Sequence, residues 1–371
     1  MGKYEDNLEL IRKTVRCEKT DRIPVVPCGN AYYARQEHIV MKDYISDFDR
    51  ACDANIHQHQ IMEADATQNV IFSPYLLDTQ WLSKTAIPGV DLDDDAMWQV
   101  EEFENMKADE YEDIKKMGWP DWQAKFIHER CNDNWNMLQP FFEANPRCYK
   151  KFYDAGLPNT CDFLMITPFE YFCGGRSLQT FFIEDLMERP ELMHEIFDIV
   201  LESNLKTYKQ QIIDTHALGV WIGGWRSALV GPDQFGEFVW PAFKAYYDLC
   251  IEMGVIPMFH LDANWDALLD FFKPLEPKTY IMALDSKTNI RKCRELLGPD
   301  VCILGDVPPE MTAFGTPEQV FDYVTKLLED IGPWGVMVAT GCDIPSNAKA
   351  ENVKAMSDAA HSFLETHPQY R

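Results

Sequence analysis

The chain has 371 residues, 46% of them hydrophobic and 25% charged, the composition of a protein that buries a large core. Its 34 Lys and Arg stand against 60 Asp and Glu, a formal charge of −26. A polyanion of this kind repels phosphate backbones and acidic bilayers, which excludes nucleic acid and membrane surfaces as partners. The opening MGKYEDNLEL does not read as a signal peptide. Asp6 stands where a myristoylation signal needs Ser or Thr, and no apolar run approaches the roughly 18 residues of a membrane span. Eleven cysteines lie scattered from Cys17 to Cys342 without a C-x-x-C pair, which reads as a reduced, cytoplasmic protein rather than a disulfide framework.

In chain order, residues 1–60 read as a helical N-terminal extension carrying an extended IPVVP piece, expected to pack on or near the mouth of the domain that follows. His57 and His59 in HQHQ fall on different sides of a helix and read as surface or packing residues rather than a metal pair. A strand is expected around Gln68–Phe72, and residues 75–160, rich in Trp, Phe, Asp and Asn, read as an insertion or lid. Within it DLDDD at Asp91–Asp95 lacks the Gly and terminal Glu of a calcium loop and reads as a solvated acidic loop. Six short apolar runs follow: Phe163–Ile166, Val220–Ile222, Val255–Phe259, Tyr280–Leu284, Val301–Leu304 and Val336–Ala339. Each is bounded by Gly, Asp or Pro, as buried parallel strands are. Helical patterns separate them, one opening with Thr316 as N-cap and Pro317 in its first turn,. Strands alternating with helices in this order predict one (β/α)8 TIM barrel over 1–371, with one strand of the first half left unplaced. An open nucleotide-binding sheet is disfavoured because neither G-x-G-x-x-G nor a P-loop occurs.

A barrel carries its chemistry where strands end. The residues just past the runs are Glu170, Trp225 with Arg226, His260 with Asp262, Asp285, Asp306 and Cys342. His260 and Asp262 are two apart, so on one strand they share a face and look into the mouth. With Cys342 they offer nitrogen, oxygen and sulfur, a three-ligand zinc set with an open fourth position. The competing reading is a hydrogen-bonded core histidine and a small buried thiol. Glu170 is a candidate fourth ligand or general acid, or a carboxylate serving a helix terminus; the catalytic candidates are therefore Glu170 and His260. Asp306 is expected to hold the turn before the TPEQV helix. Tyr32, Tyr33, Trp225 and Arg226 are candidate substrate-binding residues by aromatic or cationic character.

GPDQFGEFVWPAFK, the strand ending at His260, LGDVPPEMTAFGTPEQV and GCDIPSNAKAENVKAM resemble the uroporphyrinogen decarboxylase superfamily, which includes cobalamin-dependent methyltransferases. The opening EKTDRIPVVP is similar to the start of that family. The resemblance implies the barrel fold independently. Decarboxylases carry an acidic residue after Phe-Ser where this chain reads VIFSPYL with Pro74, and their arginine-rich motif is replaced by PCGNAYYARQEH. The methyltransferase branch binds zinc through His-x-Cys and a distant Cys; His260 and Cys342 match two of these, and Asp262 replaces the middle Cys. That exchange hardens the site toward oxygen. The resemblance therefore implies a methyltransferase that takes a methyl group from a small methylated substrate, best an aromatic methyl ether, to the corrinoid of a partner protein. A decarboxylase and a non-catalytic binding protein on the same barrel are the alternatives, and a homo-oligomer is compatible with the sequence.

Overall fold

Apolar side chains on both faces make a strand that can only live between two layers, and each of the six runs forms one. The computed structural model describes residues 2–131 and 134–371. A short antiparallel pair, β1 (Lys84–Ala86) and β2 (Gln99–Glu101), precedes β3 (Leu164–Ile166), β4 (Gly219–Gly224), β5 (Ile256–Leu261), β6 (Ile281–Leu284), β7 (Cys302–Val307) and β8 (Val336–Thr340). β3 to β8 lie side by side in sequence order in one six-stranded parallel sheet. Their alternate residues divide between two cores, as the strand period demands. Met258, Ile281, Ala283, Cys302, Leu304, Met337 and Ala339 fill the inside. Phe259, Leu261, Met282, Leu284, Ile303 and Val338 face the outer helices. Among these helices Pro317–Ile331 is held at its start by a capping box between Thr316 and Gln319,.

Two short segments complete the ring. Val26 N–H donates to Val338 O at 3.0 Å, and Val338 N–H to Pro24 O at 2.9 Å. On the other side Asp65 N–H donates to Val25 O at 3.0 Å and Gln68 N–H to Pro27 O at 3.3 Å. Thr160 N–H then donates to Thr67 O at 2.8 Å and Thr67 N–H to Pro158 O at 2.9 Å, which leads into β3. The chain thus folds as the expected α/β TIM-type barrel. Two placements need correction. The unplaced strand is the IPVVP piece, whose prolines at 24 and 27 remove N–H groups and prevent a continuous ladder. The expected strand Gln68–Phe72 is displaced toward the N-terminus, with pairing at residues 65–68.

Residues 1–60 are accordingly not one extension at the mouth. The Lys3–Val15 helix places Ile11 and Val15 against the interior residues Met258, Cys302 and Met337. Cys17 follows it and abuts Gly335, just before β8, so this helix covers the end of the barrel opposite the mouth. The Asn30–Gln36 helix starts from the other end of the 24–27 segment, on the mouth side.

Asp65, 3% exposed, clamps the closure. Its carboxylate accepts from Val25 N–H at 2.9 Å, from Arg22 at 2.8 Å and from His361 Nε2 at 3.0 Å. Burial raises its pKa, but the His361 hydrogen bond and the Arg22 charge outweigh burial and hold it below the ordinary carboxylate range,. A depressed folded-state pKa gives stability that is present above the unfolded value of about 4 and is lost as pH falls through the folded value. Asp65→Asn is expected to cost about 2 kcal/mol at neutral pH and to flatten the acid side of the stability profile. Urea titrations across the acid range check this; parallel profiles for the two proteins would contradict it.

The 75–160 stretch connects the second barrel segment to β3 through the Tyr75–Trp81 helix, the β1–β2 pair, and the Glu110–Met117, Trp119–Arg130 and Asn134–Ala155 helices; residues 132–133 of it lie outside the described residues. The acidic loop is less free than expected: Asp91 meets Lys84 at 3.3 Å, Asp94 meets Lys42 at 2.7 Å, and Asp95 meets Arg35. His57 is exposed and bound to Glu37 at 2.6 Å. His59 is buried against Tyr33 and Phe152, where burial pushes its pKa down to about 4. All eleven cysteines are free thiols. Among the described residues no helix is long and apolar enough to cross a membrane.

Candidate metal centre

Strand parity carries His260 into the mouth. β5 places it beside Gly223 of β4 and Ala283 of β6, on the inward face that also holds Met258. Asp262 follows at the strand end. Cys342 arrives from β8 across Gly341, where a Cβ would stand 2.6 Å from Ser286 N; only glycine lets the two chain turns approach this closely. One donor atom from each of His260, Asp262 and Cys342 lies within 4.8 Å of the others. His260 Nε2 is 3.3 Å from Asp262 Oδ1 and 3.9 Å from Cys342 Sγ. Metal–ligand bonds of roughly 2.0–2.3 Å in a tetrahedron imply ligand separations of about 3.3–3.8 Å, so small side-chain rotations suffice to bring these donors onto one zinc ion. Among the described residues this is the one such grouping of three or more His, Cys, Asp or Glu side chains.

The electrostatics suit a cation. Burial disfavours a charged His260, but the Asp262 carboxylate more than offsets it and raises the imidazole pKa, with Asp343 and Asp285 adding to the effect. Asp262 is held below its usual range against burial by His260. Burial, with Asp262 and Asp343 nearby, pushes the Cys342 thiol up, although the residue keeps solvent-accessible surface, as on the floor of a concave mouth. A divalent metal held by these three residues would displace protons from nitrogen and sulfur and answer the local excess of carboxylates.

The other expected site residues have different tasks. Glu170 is 1% exposed and accepts from Ser227 N–H at 2.9 Å and Ser227 Oγ–H at 2.7 Å, with Arg226 Nη1 at 3.9 Å. It buttresses the turn after β4 and lies outside the metal-binding group; it sits in the first turn of the Pro168–Arg176 helix, which Thr167 caps by accepting from Glu170 N–H. Burial raises the Glu170 pKa, opposed by Arg226. Arg226, also 1% exposed, is sandwiched between Trp225 and Trp81, at 4.4 and 5.2 Å, with Glu102 at 3.5 Å. It ties the insertion to the rim with Trp225 as its stacking partner, while its Nε and Nη1 are buried without a hydrogen-bond partner. Tyr32 and Tyr33 are buried among Met62, Ile344 and Val353, packing against the loop after β8, with the Tyr33 hydroxyl lacking a hydrogen-bond partner. Asp306 lies in β7 and accepts from Tyr323 O–H at 2.8 Å, so it binds the TPEQV helix itself; burial pushes its pKa up to about 6. Asp285 accepts from Ala263 N–H at 3.1 Å and holds the turn after β5.

Two groups at the mouth went unread in the sequence. Cys28 Sγ–H donates to Asp343 at 2.8 Å, Asn30 Nδ2 lies 3.4 Å from both Asp343 oxygens, and Asn69 Nδ2–H donates to Asn30 at 2.6 Å. This polar chain joins the ends of both short barrel segments to the loop after β8. Trp221, inside an apolar run, lies against His260. Their shared inward parity with Met258 is the signal that could have found it.

The family model described as Uroporphyrinogen decarboxylase (URO-D) matches residues 166–363, which span β4 to β8, His260, Asp262 and Cys342. The chain belongs to the uroporphyrinogen decarboxylase family. The chain is 26% identical over 208 residues to the uroporphyrinogen decarboxylase of Myxococcus xanthus, covering 56% of this chain and 57% of that protein. It is 24% identical over 183 residues to that of Carboxydothermus hydrogenoformans, covering 48% and 50%. The chain therefore spans about half the length of the curated relatives it matches. A methyltransferase from Methanosarcina mazei has the same fold, with a TM-score of 0.71 at 15% identity over 94% of this chain and 96% of that one. Pro74, in the VIFSPYL stretch, precedes the Tyr75–Trp81 helix.

Proposed function

We propose that this family member is a methyltransferase that moves a methyl group from a small methylated substrate, an aromatic methyl ether by preference, to the cobalt(I) corrinoid of a partner protein. The observation that carries the reading is the meeting of His260, Asp262 and Cys342 within 4.8 Å at the ends of β5 and β8. Zinc held by these residues supplies Lewis acidity that makes an ether oxygen a better leaving group. His260 offers Nε2, and Asp262 and the Cys342 thiolate balance the two positive charges. Carboxylate in place of a second thiolate favours an oxygen-bearing substrate over a thiol. Ser227 and Glu170 hold the turn after β4 beside this centre, and the Trp225–Arg226–Trp81 stack holds the insertion over the rim. The shared fold with the methyltransferase from Methanosarcina mazei supports the same branch.

Decarboxylation is the second reading, favoured by the names of the curated relatives. Pro74 speaks against it, since it offers neither a carboxylate nor an N–H to a pyrrole. The test is methylation of free cob(I)alamin, followed by absorbance, with methoxylated aromatics, methanol, methylamines and methyl thioethers as donors. The expected result is turnover with a methoxylated aromatic that stops on chelation and returns with zinc. Absence of turnover with every donor, together with release of carbon dioxide from a pyrrole carboxylate, would reverse the assignment.

A further inference from the structure

A histidine that binds a metal through one nitrogen is ordinarily aimed by a hydrogen bond from the other, to a carboxylate or a carbonyl. His260 lacks that anchor. Its Nε2 faces Asp262 and Cys342, while Nδ1 is buried without a hydrogen-bond partner. What contacts the ring is Trp221: the two ring planes are 2° from parallel and their centroids 4.1 Å apart. The register explains the meeting. Trp221 pairs with Met258 and Gly223 with His260, so the indole must lean one inward position along β4 to reach the imidazole, a direction natural to long side chains on strands. A Cβ added at Gly223 would meet no atom within 4 Å, so the inward place directly beside His260 is left open and the imidazole is supported from the Trp221 side. Trp221 Nε1 also has no partner; the indole is held by packing with the interior cluster of Met258, Ile281 and Met337.

We propose that Trp221 is the positioning residue of the metal centre, fixing the His260 ring plane by stacking where a hydrogen bond normally does so. The inference rests on the metal-centre reading above and adds a residue that acts only through His260. With Nδ1 unanchored, the imidazole is free to turn about its own bond unless a flat neighbour restrains it. A ring restrained at 2° keeps Nε2 directed at the point shared with Asp262 and Cys342.

The test uses cobalt(II) as a spectroscopic probe on the full chain, in wild type, Trp221→Leu, Trp221→Phe and His260→Ala. Binding is titrated by calorimetry, the ligand-field bands report geometry, and a cooperative thermal melt checks folding. Trp221→Leu keeps apolar bulk without a ring plane and is expected to weaken cobalt binding about 10–100-fold and to alter the bands. Trp221→Phe restores a flat face and is expected to bind within about threefold of wild type, with wild-type bands. If Leu fails to fold, Trp221→Met, a flexible apolar filler, takes its place with the same expectation. Wild-type affinity and bands in the Leu or Met variant overturn the inference and leave the metal centre standing, as does equal weakening in Leu and Phe. Failure of wild type to bind cobalt any better than His260→Ala overturns the metal centre, and the role of Trp221 with it.

Discussion

Cys342→Ser is expected to remove zinc and methyl transfer together while leaving a cooperative, folded barrel. Serine matches cysteine in shape, but a hydroxyl is a far weaker zinc ligand than a thiolate. The centre has His260, Asp262 and Cys342 within 4.8 Å and no fourth side-chain donor among the described residues to take over. Since loss of a residue that merely supports a ligand lowers metal affinity 10–100-fold, loss of the ligand itself should exceed about 100-fold. Cys342 lies in the loop after β8 and keeps solvent-accessible surface, so the exchange opens no core cavity and the melting temperature should stay close to wild type. Zinc content, melting temperature and cobalt methylation measured on one preparation decide the matter. Retained zinc with retained turnover would remove Cys342 from the site.

The largest stability effect is expected at Arg176. Its guanidinium and the Asp185 carboxylate are both 0% exposed and meet at 2.8 Å. Arg176 also donates to Met106 O at 3.1 Å and pairs with Glu104, and Tyr111 O–H donates to Asp185 at 2.9 Å. One buried ion pair thus ties residues 104–111 of the insertion to the helix after β3. Removing Arg176 leaves the buried Asp185 carboxylate only the half-buried Arg189 and the Tyr111 hydroxyl as partners, so Arg176→Met should cost about 3 kcal/mol. Arg176→Met with Asp185→Asn should recover part of that loss, because the buried side chain that has lost its closest cation is then neutral. Urea unfolding gives both values, and limited proteolysis should show the insertion cleaved first in the single variant. A single-variant cost below about 1 kcal/mol would mean the insertion is held elsewhere.

Legibility in the sequence followed how directly a residue's place is set by chain periodicity. The six strands were readable because burial on both faces leaves uninterrupted apolar runs such as YIMAL. Convergence of His260 with Asp262 was readable because the strand period alone puts them on one face. The first two barrel segments were not. Pro24 and Pro27 break the ladder in one, and the other is built of Asp65, Thr67 and Gln68, whose polar side chains are spent on closing the ring rather than on filling a core. Glu170 follows a strand as a ligand would, yet which way a side chain points from the first turn of a helix depends on the neighbouring turn, here Ser227. The charge of Arg226 marks it as a candidate, but its neighbours Trp81 and Glu102 come from an insertion whose path cannot be inferred from local pattern. Trp221 was hidden for the opposite reason, since within VWI a tryptophan looks like any other core residue.

The most direct measurement is zinc K-edge X-ray absorption of the purified full chain. A centre made by His260, Asp262 and Cys342 should show stoichiometric zinc with one sulfur near 2.3 Å and about three nitrogen or oxygen neighbours near 2.0–2.1 Å. A protein without stoichiometric zinc after loading, or a zinc shell with no sulfur or with two, would contradict it.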